Sequence, residues 1–263
     1  MAEAPAAQGA EQRRAAGCIG RPATGGDSFT DAEPTPRPLA HGSARMTPAD
    51  VGLLRSAART LGVDVAHDAL ERLVRFLDLL AVWNRRIHLT GQRDLASLIR
   101  AHAIDSLAPA PHLPSTGLVV DVGSGAGFPG IVLGCLRPDL QFVLIESRRR
   151  RASFLREAIR AIPLPAARAL EMRAEEAAAD PEQAGRAAIA ISRALRLDVF
   201  LGLAAPFLAP DGAAIAMQTP RAAGPASALA AQHGFRLVAR HDYALPGGAA
   251  RSLFFFDRGR PVS

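Results

Sequence analysis

Residues 118 to 130 read LVVDVGSGAGFPG: an apolar run reaches Asp121 and Val122, then opens into glycines at 123, 125, 127 and 130. A strand that stops at a glycine-dense turn before a helix is a place where main chain can touch a ligand. Residues without Cβ turn at positive φ and let a bound group pack on the backbone. Unpaired amides at a helix start favour electron-rich groups. Pro129 suits a first helical turn, where its missing N–H costs nothing.

Two ligand classes fit such a turn. The dinucleotide fingerprint G-x-G-x-x-G wants an acid about 20 residues further on, and Glu146, ending the run QFVLIE, supplies one. Glycines and acid together leave a dinucleotide, S-adenosylmethionine and a merely structural turn all open. The spacing here is G-x-G-x-G, and Asp121 stands two positions before the first glycine. That carboxylate would repel a pyrophosphate and attract an ammonium and a sulfonium. The segment therefore reads as a site for S-adenosylmethionine, with Glu146 taking the ribose hydroxyls.

The chain has 263 residues, 49% hydrophobic, with mean hydropathy +0.10. It is long enough for one large or two small domains with a substantial core. No apolar run of about 18 residues free of charge is present, so no membrane span is expected. Cys18 and Cys135 cannot build a metal framework, which points to a reducing, cytoplasmic home without a metal. All 31 basic residues are arginine, and the net charge is +6. Residues 1 to 45 hold five Arg against five Asp or Glu, so the whole excess lies in 46 to 263. Arginine forks bind phosphate and stack on bases, which suits an RNA partner. A GC-biased genome would also replace lysine by arginine, but it leaves the net charge unexplained.

Residues 1–45 are rich in Ala, Gly, Pro and Arg without apolar periodicity, and read as a disordered tail. Met46, followed by Thr-Pro-Ala-Asp, reads as the true initiator. Residues 46–114 read as a helical region packed on the core: Thr47 with Asp50 resembles a capping box, and Leu70, Leu73, Val74, Leu77, Leu80 and Ala81 recur at helical spacing. Residues 115–263 read as the catalytic domain. There LVVDV, FVLIE, ARALEM, AIAIS and GAAIAMQ alternate with helical segments, which implies a parallel sheet with right-handed crossovers. FRLVARHDYAL and RSLFFFD, joined by PGGAA, read as a hairpin. The expected fold is α/β and Rossmann-like: a seven-stranded, mostly parallel sheet closed by a C-terminal antiparallel hairpin, as in class I S-adenosylmethionine-dependent methyltransferases, behind a small helical layer.

Methyl transfer from a sulfonium is an in-line displacement, so alignment is the main task. Amine-directed enzymes usually show a D/N-P-P-Y type motif after the fourth strand, and carbon-directed ones a Pro-Cys nucleophile; AISRAL has neither. Nitrogen-7 of guanine, with a ready lone pair, is consistent with that absence.

WNRRIHLT at 83–90, HAIDS at 102–106, DVGSGAGFPGIVL at 121–133, ESRRRRASFL at 146–155, RAEE at 173–176 and ISRA at 191–194 together resemble the RsmG family, also called glucose-inhibited division protein B. These are bacterial methyltransferases of nitrogen-7 of a guanosine in the 530 loop of 16S rRNA. The resemblance runs from about Met46 to the C-terminus. It implies an enzyme whose cofactor, S-adenosyl-L-methionine, is held by Gly123, Gly125, Gly127, Phe128, Glu146, Ala174, Glu175 and Arg193, to which the charge argument above adds Asp121 as a cofactor-binding residue. It also implies Arg193 as the catalytic residue facing the guanine, and Arg251 directed at RNA. Arg148, Arg150 and Arg151 are further RNA-binding candidates, because a cationic run at a helix N-terminus opposes the dipole unless an anion joins it. The implied partner is 16S rRNA or a precursor of the small subunit, met by a monomer.

Alternatives remain. Arg193 could be an ion-pair partner at the sheet's end. His102 and Asp105, three apart, read as an acid–base pair or, preferably, as a buried polar contact between helical layer and sheet. Gln218-Thr219 stands where the family usually has Lys-Gly, removing a basic contact. Methylation of another RNA, a small molecule or a protein, and non-catalytic RNA binding that senses the cofactor, are the competing functions.

Overall fold

The computed structural model describes residues 45 to 259. The expected disordered tail lies outside these residues except for Arg45, and the choice of initiator is likewise beyond what they address.

The described chain opens with helices α1 (Pro48–Thr60) and α2 (His67–Ile87). Thr47 caps α1: its hydroxyl accepts from the amide of Asp50 at 3.2 Å, and the Asp50 carboxylate accepts from the amide of Thr47 at 2.9 Å. The periodicity of α2 was legible, since Leu70, Leu73, Leu77, Leu80 and Ala81 are all buried. A short helix α3 (Leu95–Leu98), capped by Asp94, runs through a π-helical turn at Ile99–Ala103 and two 3-10 turns toward the sheet.

Alternation then follows: β1 (Leu118–Val122), α4 (Gly130–Leu136), β2 (Gln141–Ile145), α5 (Arg149–Ala161), β3 (Ala167–Leu170), α6 (Ala174–Ala179), β4 (Ala187–Ser192), α7 (Leu197–Ala204), β5 (Leu208–Gln218), α8 (Ala223–Gln232), β6 (Arg236–Ala244) and β7 (Ala250–Asp257). Helix α8 was not expected from sequence. Its residues AGPASALAAQ are mostly alanine and glycine, so no apolar face stands out, yet Ala226 and Ala230 are buried.

The seven strands order as β3-β2-β1-β4-β5-β7-β6. The first five are parallel, β7 inserts antiparallel beside β5, and β6 pairs antiparallel on its outer side. Successive strand residues face opposite layers. Val119, Phe142, Leu144, Ile189, Ile191 and Ile215 pack with α1, α2, α4 and α5. Val120, Val122, Val143, Ala190, Ala214 and Ala216 pack with α6, α7 and α8. The N-terminal helices thus complete one of the sheet's two covering layers. No helix among the described residues is long and apolar enough to cross a membrane.

Strand order reverses direction between β1 and β4, so the carboxyl ends of β1, β2, β4 and β5 face a common crevice. The candidate site residues sit at those ends, after β3 at the start of α6, or on the helical layer and hairpin that wall the crevice.

Candidate functional site

The turn after β1 divides its glycines by job. A Cβ on Gly130 would lie 2.6 Å from Asp121 Oδ2 and 2.7 Å from Leu144, and one on Gly127 would lie 2.8 Å from Ile131 and 3.2 Å from Phe76. These two are glycine because the turn is packed against its own core. A Cβ on Gly125 would meet nothing closer than 3.9 Å, and one on Gly123 nothing closer than 3.6 Å. Their backbones are left-handed, at φ +58° and +77°, and a Cβ would make only ordinary contacts there, with the Leu195 side chain over Gly123 and with Arg151 near Gly125.

Except for Ala126, the amides of this turn are already used, which departs from the expectation of free donors. Gly123 and Ser124 donate to the carbonyl of Ile145, Gly127 and Phe128 to that of Ser124, Gly125 to Glu146 Oε2 at 3.1 Å, and Gly130 to Asp121 Oδ2 at 3.0 Å. A pyrophosphate would need such donors. The turn therefore offers shape rather than an anion nest, which weakens the dinucleotide reading on grounds independent of charge.

Asp121 is buried, with Oδ2 on Gly130 and Oδ1 buried without a partner. Burial pushes its carboxyl up to about 7. Glu146 is also buried; Oε2 accepts from Gly125, Oε1 from the amide of Arg148 at 2.8 Å, and Arg151 Nη1 lies 3.8 Å from Oε2. A carboxylate has about four acceptor positions, so Glu146 retains capacity for hydroxyl donors. Arg148 and Arg150 are exposed at the start of α5, and Arg151 is half-buried. Ala174 and Glu175 open α6, beyond β3 on the far side of β2.

Arg193, just past β4, lies in a second cleft of about 380 Å³ lined by Gln92, His102, Asp105, Met217, Gln218 and Arg251 among others. Its Nη2 donates to His102 Nδ1 at 2.5 Å, and its Nη1 lies 3.4 Å from Asp105 Oδ2. His102 Nε2 in turn donates to Gln92 Oε1 at 2.5 Å. Arginine is donor only, so Nδ1 must accept and His102 is the neutral, Nε2-protonated tautomer. Burial, aided by Arg193 and Arg251, lowers its pKa to about 4. Asp105 is the hub: Tyr243 donates to Oδ1 at 2.7 Å, and Arg251 Nε lies 3.9 Å from Oδ2. His102 and Asp105 therefore do not act as an acid–base pair here. They are a polar contact between the helical layer and the sheet, and the ion-pair reading of Arg193 holds geometrically alongside its place in the cleft.

Phe128 joins the two regions. Its ring stacks on His102 at 5.3 Å, meets Phe76 edge-on at 5.4 Å, and lies under the Arg193 guanidinium at 5.3 Å.

A family model described as rRNA small subunit methyltransferase G matches residues 69–237. The chain belongs to that family. It is accordingly an enzyme that methylates small-subunit rRNA. The methyltransferase G of Dichelobacter nodosus is 43% identical over 124 residues, a match spanning 47% of this chain and 59% of that one. That of Myxococcus xanthus is 34% identical over 208 residues, spanning 77% of this chain and 94% of that one. Among solved structures, Pyrococcus horikoshii TYW2 in complex with MeSAdo aligns with TM-score 0.48 at 15% identity, over 60% of this chain and 64% of that one.

Sequence reasoning overlooked several residues of this methyltransferase's crevice. Tyr243 lies 138 positions from the aspartate it binds; a lone tyrosine in a strand gives no local signal. Gln92 sits in a polar loop with nothing to mark it. Gln218, noted only for the basic residue it replaces, donates from Nε2 to the carbonyl of Leu195 at 2.9 Å and pins the loop that carries Arg193. Among the described residues no group of three or more His, Cys, Asp or Glu is placed to hold a metal ion.

Proposed function

We propose that this enzyme methylates nitrogen-7 of a guanine in the 530 loop of 16S rRNA, guanine 527 in the usual rRNA numbering, with S-adenosyl-L-methionine as donor. The single observation that carries the acceptor assignment is that the Arg193 cleft presents donors and cations but no available base. Its carboxylate, Asp105, is engaged by Arg193, Tyr243 and Arg251, and both ring nitrogens of His102 are occupied. An exocyclic amine would have to lose a proton during transfer; nitrogen-7 would not. Arg193 spends part of its five donors on His102 and Asp105, and the remainder suit the O6 edge of a guanine.

The donor fits the other half of the crevice. When bound, S-adenosylmethionine supplies an electrophilic methyl on a sulfonium. The uncrowded backbone at Gly125 accepts a bulky group, and the spare acceptor positions of Glu146 suit ribose hydroxyls. The partnerless Oδ1 of Asp121 favours a nearby cation, with Ala174 and Glu175 flanking the adenine. Phe128 holds Arg193 at a fixed height over the glycine turn, so the chain's contribution is alignment. Arg148, Arg150, Arg151 and Arg251 serve the RNA. One chain supplies every named group, consistent with a monomer working in the cytoplasm on rRNA or a subunit precursor.

Nucleoside mass spectrometry of 16S rRNA from a deletion strain tests this. Loss of 7-methylguanosine from the 530 loop, restored by the wild-type chain and not by Arg193→Ala, is the expected result; an unchanged level defeats it.

A further inference from the structure

The motif WNRRIHLT builds a feature that the methyl-transfer site does not use. The end of α2 and the loop after it wall a groove of about 730 Å³ whose lining includes Asn84, Arg85, His88, Gln92, Arg93 and Arg151 and holds no carboxylate. Arg85 and Arg93 are exposed and make none of the ion pairs or side-chain hydrogen bonds found among the described residues. Asp94, next to Arg93, is spent capping α3 through Ser97.

The loop is built to hold its shape. Asn84, buried, donates from Nδ2 to the carbonyl of Gln92 at 2.5 Å and accepts from the amide of Thr90 at 2.7 Å. His88 ends α2 in the left-handed conformation at φ 50°. Gln92 then belongs to both clefts: its main chain is tied to Asn84, and its side chain reaches His102 in the Arg193 cleft. At the groove's other side Arg151 comes within 3.8 Å of Glu146.

We propose that this groove carries the sugar–phosphate backbone of the nucleotides next to the target guanine, with Arg85 and Arg93 holding phosphates while the guanine itself turns into the Arg193 cleft. The inference rests on the rRNA reading above. A base can be methylated inside a snug pocket only if it is taken out of its stack, and the flanking backbone must then be fixed beside the pocket. A rigid, carboxylate-free, arginine-lined channel joined to that pocket through one residue has the required chemistry. Phosphate contacts of this kind position RNA without reading its sequence.

The test is the double variant Arg85→Glu/Arg93→Glu, assayed on small-subunit particles from a strain lacking the enzyme. The KM for particles should rise at least about tenfold at 0.1 M salt, and the slope of log kcat/KM against log salt should flatten by about two. The kcat and the calorimetric affinity for S-adenosylhomocysteine should stay within about twofold. Arg55→Glu/Arg59→Glu on α1, the same charge change away from the groove, should leave KM within about threefold. A groove variant with wild-type KM and salt slope, or a control that loses as much, overturns the proposal. The conservative Arg85→Gln/Arg93→Gln variant, expected to show a smaller rise in KM, covers the case in which charge reversal perturbs folding. Wild-type enzyme that leaves these particles unmethylated would instead sink the rRNA reading itself.

Discussion

The guanidinium carbon of Arg193 lies 5.3 Å from the centre of the Phe128 ring, and the same ring stacks on His102 at 5.3 Å. Phe128 follows directly on the glycine turn, while Arg193 lines the second cleft. One aromatic ring therefore sets the spacing between the half of the crevice proposed for the methyl donor and the half proposed for the guanine, and disturbing either partner should be felt in alignment before it is felt in binding.

Arg193→Ala should lower kcat by about 100-fold, the usual scale for losing one preorganised donor, and leave S-adenosylhomocysteine affinity within about threefold. Asp105 keeps Tyr243 and Arg251, so the fold should survive. Arg193→Lys should recover little, because an ammonium cannot reproduce the planar contact over Phe128 together with the bond to His102. Steady-state kinetics with thermal melting check this; kcat within about threefold of wild type makes Arg193 structural only.

Phe128→Ala should act on both halves at once. The ring is 4% exposed and packed on Phe76 and His102, so its removal should destabilise the protein by about 3 kcal/mol and lower kcat alongside. Phe128→Leu should recover most of the stability and less of the rate, since it restores volume without a face for Arg193. Chemical denaturation paired with kinetics separates the two effects.

Gly125→Asp should abolish measurable cofactor binding while leaving a folded protein. The position is left-handed at φ +58°, which a side chain resists, and the new carboxylate would enter the open space over the turn beside Glu146, whose Oε2 takes the Gly125 amide. Calorimetry with S-adenosylhomocysteine reads it directly; affinity within a few-fold of wild type would contradict the assignment of this turn.

Asp121, with its carboxyl pushed up to about 7 by burial, should make cofactor binding pH-dependent. A cation near Oδ1 favours the ionised form, so binding should release about half a proton at pH 7 and tighten as pH rises from 6 to 8. In the free protein the sign is opposite. The folded pKa is above the unfolded one, so Asp121's stabilising effect is full below about 4 and is lost as pH rises through 7. Calorimetry in buffers of different ionisation enthalpy measures the proton, and Asp121→Asn should remove both effects.

His102 should behave in the reverse way. Its pKa is lowered from 6.5 to about 4, so the unfolded chain takes up a proton first as pH falls. Stability should decline between pH 6.5 and 4, by about 2 kcal/mol after allowance for partial exposure. The ring stays neutral above pH 6, so no inflection of kcat near 6.5 should trace to it. Urea titrations of wild type and His102→Gln across this range decide the point.

Much of the architecture was legible because it is local. The capping box at Thr47, the buried stripe of α2, the strand at LVVDV and the closing hairpin each follow from a pattern confined to a short stretch of neighbouring residues. Helix α8 escaped because alanine gives no contrast between its faces. Asp121 and Glu146 were found as acids near a glycine turn, yet that each spends an oxygen on the turn's own amides could not be read from spacing. The four glycines look alike in sequence, while the tight packing that explains Gly127 and Gly130 is absent at Gly123 and Gly125.

Local residue pattern sets the kind of crevice: a glycine turn at a strand end, an acid one strand over, and a parallel sheet to bring them together. Those depend on residue size, periodicity and backbone freedom, which act over short stretches of chain. Folding alone brings Arg193, Tyr243 and Arg251 to Asp105 from three distant segments and makes His102 a neutral spacer instead of a base. The groove at Asn84 to Arg93 likewise comes to share Gln92 with the Arg193 cleft only once the chain is folded. Such arrangements arise from burial and hydrogen bonding between segments that chain order leaves far apart, so no local pattern encodes them.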